Sequence, residues 1–149
     1  FKQLKKDASW LRPGLADYLL LFRRPGEPTV VIRPDISNEE WIKWAHPVWY
    51  DIRESNTLNA LEARTEKDEK HLAPLQLGVI ERAIQLWSNP KEIVFSPFMG
   101  IGSEGFVALK TNRQFIGVEL KPEYFAVAVR NLNRALESRS QRRMDLGRE

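Results

Sequence analysis

The chain has 149 residues, 42% hydrophobic and 29% charged, the proportions of a soluble globular protein with room for one ordinary domain and a real core. It has no cysteine, which excludes disulfides, thiolate metal sites and cysteine nucleophiles, and with only His46 and His71 a histidine-rich metal site is not expected. The net charge of +3, from 23 basic and 20 acidic residues, does not by itself identify a nucleic-acid binder.

No apolar run reaches the roughly 18 residues of a membrane span, and no signal-peptide pattern opens the chain. A cytoplasmic protein is expected. The chain does not begin with Met, so a start upstream of Phe1 stays open.

Residues 1–14 are polar, with Trp10 and a Pro13-Gly14 turn pair. The apolar run Asp17–Phe22 reads as a buried strand, ended by the turn signal Arg23-Arg24-Pro25-Gly26. Thr29–Ile32 reads as a short second strand, stopped by Pro34. Ser37-Asn38-Glu39-Glu40 is a capping box and predicts a helix over 38–45, ended by His46-Pro47. Residues 47–59, PVWYDIRESNTLN, mix aromatic, charged and amide side chains and resemble a functional loop. The charge-rich 60–70 segment reads as a solvated helix or a linker.

A helix is expected over 74–87, with Leu77, Ile80, Ala83, Ile84 and Trp87 at helical spacing and Asn89-Pro90 as its stop. A strand over 92–95, the glycine loop SPFMGIGSEG, a helix over 103–110 and a strand over 115–119 follow. Pro122 opens a last helix whose stripe is Phe125, Ala128, Val129, Leu132 and Leu136. Helix–strand–loop–helix–strand–helix is half of a Rossmann-like sheet, with its two strands parallel and adjacent. Basic residues gather at both ends. Arg130, Arg134, Arg139, Arg142, Arg143 and Arg148 read as a solvated tail. For Lys2, Lys5, Lys6, Arg12, Arg23, Arg24 and Arg33, phosphate contact and plain solvation stay open.

The glycine loop contains G-x-G-x-x-G at Gly100, Gly102 and Gly105, with Glu119 at the end of the next strand. Glycine lets the backbone approach a ligand, the following helix start adds positive potential, and a carboxylate one strand away can accept from both hydroxyls of a ribose. Two features argue against a nicotinamide dinucleotide. Ser96, Pro97, Phe98 and Met99 separate the strand from the first glycine, and only one helix and a tail follow Glu119. Gly105 reads as a helix–strand packing glycine.

These words resemble those of a known family. SPFMGIGSEGFVAL is similar to the S-adenosylmethionine motif of DNA amino-methyltransferases, D-P-F-x-G-x-G. GVELKPEYFAVAVRN is similar to the segment that follows it, and HLAPLQLGVIERAI to the helix that precedes the loop in the permuted, β-class adenine-N6 and cytosine-N4 enzymes. SWLRPGLADYLLLFRR resembles the strand pair that ends their catalytic half, and PVWYDIRESNTLN resembles phage-type modification methylases. The resemblance implies a Rossmann-like, mostly parallel, circularly permuted α/β sheet, incomplete at the N-terminus. It implies one methyltransferase domain, with 1–36 ending the catalytic half, 37–70 a linker region and 71–149 the cofactor-binding half.

It further implies S-adenosylmethionine as cofactor, held by His71, Pro74, Ser96, Phe98, Gly100, Gly102, Ser103, Glu119 and Leu120. Double-stranded DNA is the implied partner, touched by Trp49, Arg53, Asn56 and Asn59, with a homodimer or a missing catalytic half as a further associate and no membrane. Two departures stand out. Ser96 occupies the place of the family's Asp, whose charge a hydroxyl cannot replace. The catalytic tetrapeptide, a polar residue followed by Pro-Pro-aromatic, does not occur, and His46-Pro47-Val48-Trp49 is the nearest string. No catalytic residue is therefore assigned, and the resemblance places that motif upstream of Phe1 or on another chain. The alternatives are a non-catalytic remnant or partner subunit that binds cofactor or DNA, and an NAD-dependent oxidoreductase.

Overall fold

The computed structural model describes residues 17–27, 29–58 and 74–146. His71, Asn59 and the charged 60–70 segment lie outside them. The chain divides into two compact units, Phe1–Val30 and Val31–Glu149.

In the first unit the expected strand over 17–22 does not form. The run is irregular, and its side chains are exposed, Tyr18 at 87% and Phe22 at 85%. The strand expected over 29–32 is likewise absent. An apolar run becomes a strand only where a neighbour supplies ladder partners and a second layer covers its side chains. Among the described residues neither run has them. Beyond the unit boundary, Val31 and Arg33 find a substitute. The Asn89 amide accepts from the Arg33 N–H at 2.8 Å and donates to the Val31 carbonyl at 3.2 Å.

The second unit is a parallel strand pair with helices against it. Helix α1 spans Asn38–Trp44, and its capping box is complete, with Ser37 Oγ accepting from Glu40 N and Glu40 accepting from Ser37 N. Helix α2 spans Leu77–Trp87, starting later than expected. Gln76 is extended and offers no side-chain cap, and the Leu77 N–H instead donates to the Asn56 carbonyl at 2.8 Å. Strand β1 (Ile93–Ser96), helix α3 (Ser103–Lys110) and strand β2 (Gln114–Gly117) follow. The strands pair in parallel, Ile93 opposite Gln114 and Ser96 opposite Gly117. Helix α4 runs over Pro122–Leu146.

Helix α3 is central, packing on both strands, on α2 and on α4. Ile80, Ile84, Val107 and Ala108 form one core cluster, with Val94 and Phe115 against it from the sheet. Alternate strand residues face the other way, and Ile93, Phe95, Ile116 and Val118 are 45–60% exposed.

The stripe expected on α4 is corrected in part. Its buried line is Val127, Ala128, Asn131 and Ala135, while Phe125, Val129 and Leu136 are 39–49% exposed. Small residues set this face. A Cβ on Gly102 would lie 3.1 Å from Ala128 Cβ, and one on Gly105 would lie 2.5 Å from both Leu132 and Phe115. At Gly102 the approach is so close that alanine fills the contact, while the missing Cβ of Gly105 leaves the room that Leu132 and Phe115 occupy. Gly105 is thus a packing glycine, as expected.

Candidate functional site

The site is built where β1 stops. Ser96 is buried and its carbonyl accepts from Val118 N, while Met99 N donates to Val118 O at 2.8 Å, so the loop stays stitched to the end of β2. Between these bonds Pro97 and Phe98 bulge outward, and Phe98 is 86% exposed. Gly100 and Gly102 then take φ of +54° and +84°, a region that side chains strongly disfavour. Gly102 is the N-cap of α3 and gives it no side-chain cap, so the helix start keeps backbone donors to offer.

Glu119 closes the arrangement. One carboxylate oxygen accepts from Gly100 N at 2.8 Å and the other from Lys121 N at 2.9 Å. The acid therefore bridges the glycine turn to the segment leaving β2. Each oxygen retains a lone pair for a further donor. Leu120, beside it in the chain, is 93% exposed. Phe98 and Leu120, both largely exposed beside a carboxylate bridge, are apolar surface that no packing among the described residues covers.

The other site residues of the sequence reading fall as follows. Pro74 is half-buried ahead of α2, and Ser103 is buried in the first turn of α3. Arg53 and Asn56 are exposed. Trp49 is turned inward: its ring centre lies 5.2 Å from the Arg82 guanidinium and its Nε1 donates to Trp44 O at 2.8 Å.

The segment around Trp49 is a packed strap along α2, with Leu58 buried against Ile101 and Val127. Its anchor, Arg82, is a residue that sequence reasoning missed. Trp44 and Trp49 rings flank its guanidinium, and it pairs with Asp51 at 2.8 Å. Its Nη1 is buried without a hydrogen-bond partner among the described residues, and the ring faces offer that nitrogen only the weaker attraction of a π surface. Hydrogen bonds from Arg82 and then Lys43 hold the Asp51 carboxyl well below the usual carboxylate range. The available signal was a basic residue one position away from the apolar face of α2, with tryptophans upstream.

Glu104, in the first turn of α3, is the opposite case. Burial pushes its carboxyl above the usual value, partly offset by a backbone hydrogen bond. Folding therefore favours its protonated form. The stability is intact below the ordinary glutamate range and falls as pH rises through the raised value. Glu104→Gln is expected to stabilise the protein at neutral pH and to flatten that decline, which urea unfolding between pH 4 and pH 8 measures.

A parallel βαβ unit with a glycine turn, an acid one strand on and a preceding helix defines a Rossmann-like nucleotide-binding architecture of the methyltransferase type. The family model described as DNA methylase, of the N6/N4 class, matches residues 5–130. The chain belongs to that family. The type II methyltransferase M.BglI of Bacillus subtilis is 32% identical over 126 residues, 84% of this chain and 33% of that protein. The DNA adenine methyltransferase YhdJ of Escherichia coli K12 is 37% identical over 65 residues, 44% of this chain and 22% of that protein. TTHA0409 of Thermus thermophilus, assigned as a DNA modification methylase and solved with S-adenosyl-L-methionine, superimposes with a TM-score of 0.61 at 22% identity. That match covers 88% of this chain and 51% of TTHA0409. It shares the fold. The chain thus spans a third or less of these curated relatives and about half of the solved structure. The family match favours the methyltransferase reading over the nicotinamide one.

Proposed function

We propose that this chain is the cofactor-binding part of a DNA amino-methyltransferase. It binds S-adenosylmethionine, and the complete enzyme transfers a methyl group to an exocyclic amine of adenine or cytosine in double-stranded DNA. The observation that carries this reading is the Gly100–Glu119 bridge with exposed Phe98 and Leu120 beside it. The residues fit the cofactor. The Glu119 oxygens suit ribose hydroxyls, Phe98 and Leu120 suit an adenine ring, and the uncapped start of α3 suits a carboxylate. Gly100, Gly102, Ser96, Ser103, Pro74 and His71 complete the proposed set. The cofactor, when bound, supplies an electrophilic methyl on a sulfonium.

Arg53, Asn56 and Asn59 are the proposed DNA contacts. Trp49 contributes from behind through the strap. The open sheet face of Ile93, Phe95, Ile116 and Val118 is where the rest of the enzyme, on the same chain or another, is proposed to pack. The proposed location is the cytoplasm of a bacterial or phage-infected cell, where such a DNA substrate lies.

Calorimetry with S-adenosylhomocysteine tests the cofactor assignment. Glu119→Ala should weaken binding about 10- to 100-fold, the loss of charged hydrogen bonds, and Phe98→Ala about 5-fold. Ser96 in place of the family's Asp supports a second reading as a non-catalytic partner. Absence of binding to the unaltered chain would favour that reading.

A further inference from the structure

We propose that Asn131 of α4 is a positioning residue for the glycine turn, acting through the Ile101 carbonyl. This role rests on the cofactor assignment for its consequence, but not for its geometry. Asn131 is 3% exposed and lies in the middle of the buried line Val127, Ala128, Asn131 and Ala135. It is the polar member of that line, so its amide needs a partner. Its Nδ2 donates to Ile101 O at 2.9 Å in a buried hydrogen bond spanning 30 residues of chain.

The turn's geometry gives this bond leverage. The carbonyl of Ile101 and the N–H of Gly102 belong to one planar peptide and point in opposite directions. Asn131 holds the carbonyl against α4, and the N–H then donates to Met99 O at 2.8 Å, closing the turn. Gly100 N is held separately by Glu119. On either side of the Asn131 bond, Val127 packs in a cluster with Ile101, and Ala128 meets Gly102. Without Asn131 the Ile101–Gly102 peptide keeps only the Gly102 N–H bond to Met99 O, and a turn whose Gly100 and Gly102 already hold positive φ loses its tie to α4. A loosened turn would no longer fix the start of α3, whose N–H groups are proposed to receive an anionic carboxylate.

The test uses Asn131→Asp and Asn131→Leu in the full chain. Aspartate keeps the shape but sets an acceptor against a carbonyl, and leucine removes the donor. Val107→Ala, a core change in the separate cluster with Ile80 and Ile84, serves as a control for lost stability. Hydrogen exchange of the Gly102 amide, without ligand, should accelerate at least 10-fold in both Asn131 variants and not in the control. Affinity for S-adenosylhomocysteine should fall at least 10-fold in the same two. A folded Asn131→Leu variant with unaltered Gly102 exchange overturns the proposal, as does accelerated exchange with unaltered affinity. If the leucine variant does not fold, the aspartate variant decides by the same readouts. If the unaltered chain binds no S-adenosylhomocysteine, the cofactor assignment fails, and the exchange measurement alone decides whether Asn131 orders the turn.

Discussion

Arg113→Met is expected to cost about 3–5 kcal/mol of stability, the range for breaking a buried ionic network by removing one partner. Arg113 is 1% exposed and sits immediately before β2. Its guanidinium grips Asp35 with two bonds, Nη1 to Oδ2 at 2.9 Å and Nη2 to Oδ1 at 2.7 Å. It also donates to the Thr111 carbonyl, the Ser88 carbonyl and Ser88 Oγ at 2.6, 2.7 and 3.2 Å. One side chain therefore ties together the segment before α1, the end of α2 and the entry to β2.

Methionine fills much of the volume but leaves the Thr111 and Ser88 carbonyls without their donor, and each such loss costs about 1–3 kcal/mol. Asp35 is a third exposed and can turn to water, so its contribution to the loss is smaller. Asp35→Asn, which keeps a neutral acceptor, should lose less than half as much. Arg113→Lys should recover little, because an ammonium cannot reproduce the planar fork. Urea unfolding followed by tryptophan fluorescence reads all three. A loss below about 1 kcal/mol for Arg113→Met would show that these bonds hold nothing water cannot.

Arg113 also marks the limit of what the sequence tells. Its partner Asp35 is 78 residues away, and nothing local announces the pair. The same holds for Arg82 with Asp51 and for Asn131 with Ile101, at separations of 31 and 30 residues. By contrast, the capping box of α1 and the start of α4 at Pro122 were legible, because caps and proline act on their own turn. Strands depend on partners elsewhere. Ile93–Ser96 and Gln114–Gly117 became strands because they have each other, while Asp17–Phe22, equally apolar, did not. The face of α4 was misjudged for a similar reason. Helical spacing gives several possible stripes, and the choice was made in part by Gly102, the N-cap of α3, whose close approach to α4 leaves room only for Ala128.

Gly102→Val is expected to abolish detectable binding of S-adenosylhomocysteine, a loss beyond about 100-fold, and to destabilise the fold by about 3 kcal/mol. Two costs add. A φ of +84° is unfavourable for any side chain, about 1–2 kcal/mol, and worse for one branched at Cβ. The new Cβ would also stand 3.1 Å from Ala128 Cβ and 3.3 Å from Ala128 Cα, and that helix backbone cannot swing aside as a long side chain would. The turn must therefore lift off α4, breaking the Asn131–Ile101 bond with it.

Gly100→Ala is the matched contrast. Its φ of +54° is left-handed too, but nothing lies within 4 Å of the added Cβ. Only the conformational cost of about 1–2 kcal/mol applies, and the turn keeps its seat. Any loss of affinity in that variant would come from the methyl group meeting the ligand, with the Gly102 amide as protected as before. Urea unfolding and calorimetry on the pair separate the two effects. Near-normal binding by a folded Gly102→Val variant would mean that the ligand does not meet this turn at all.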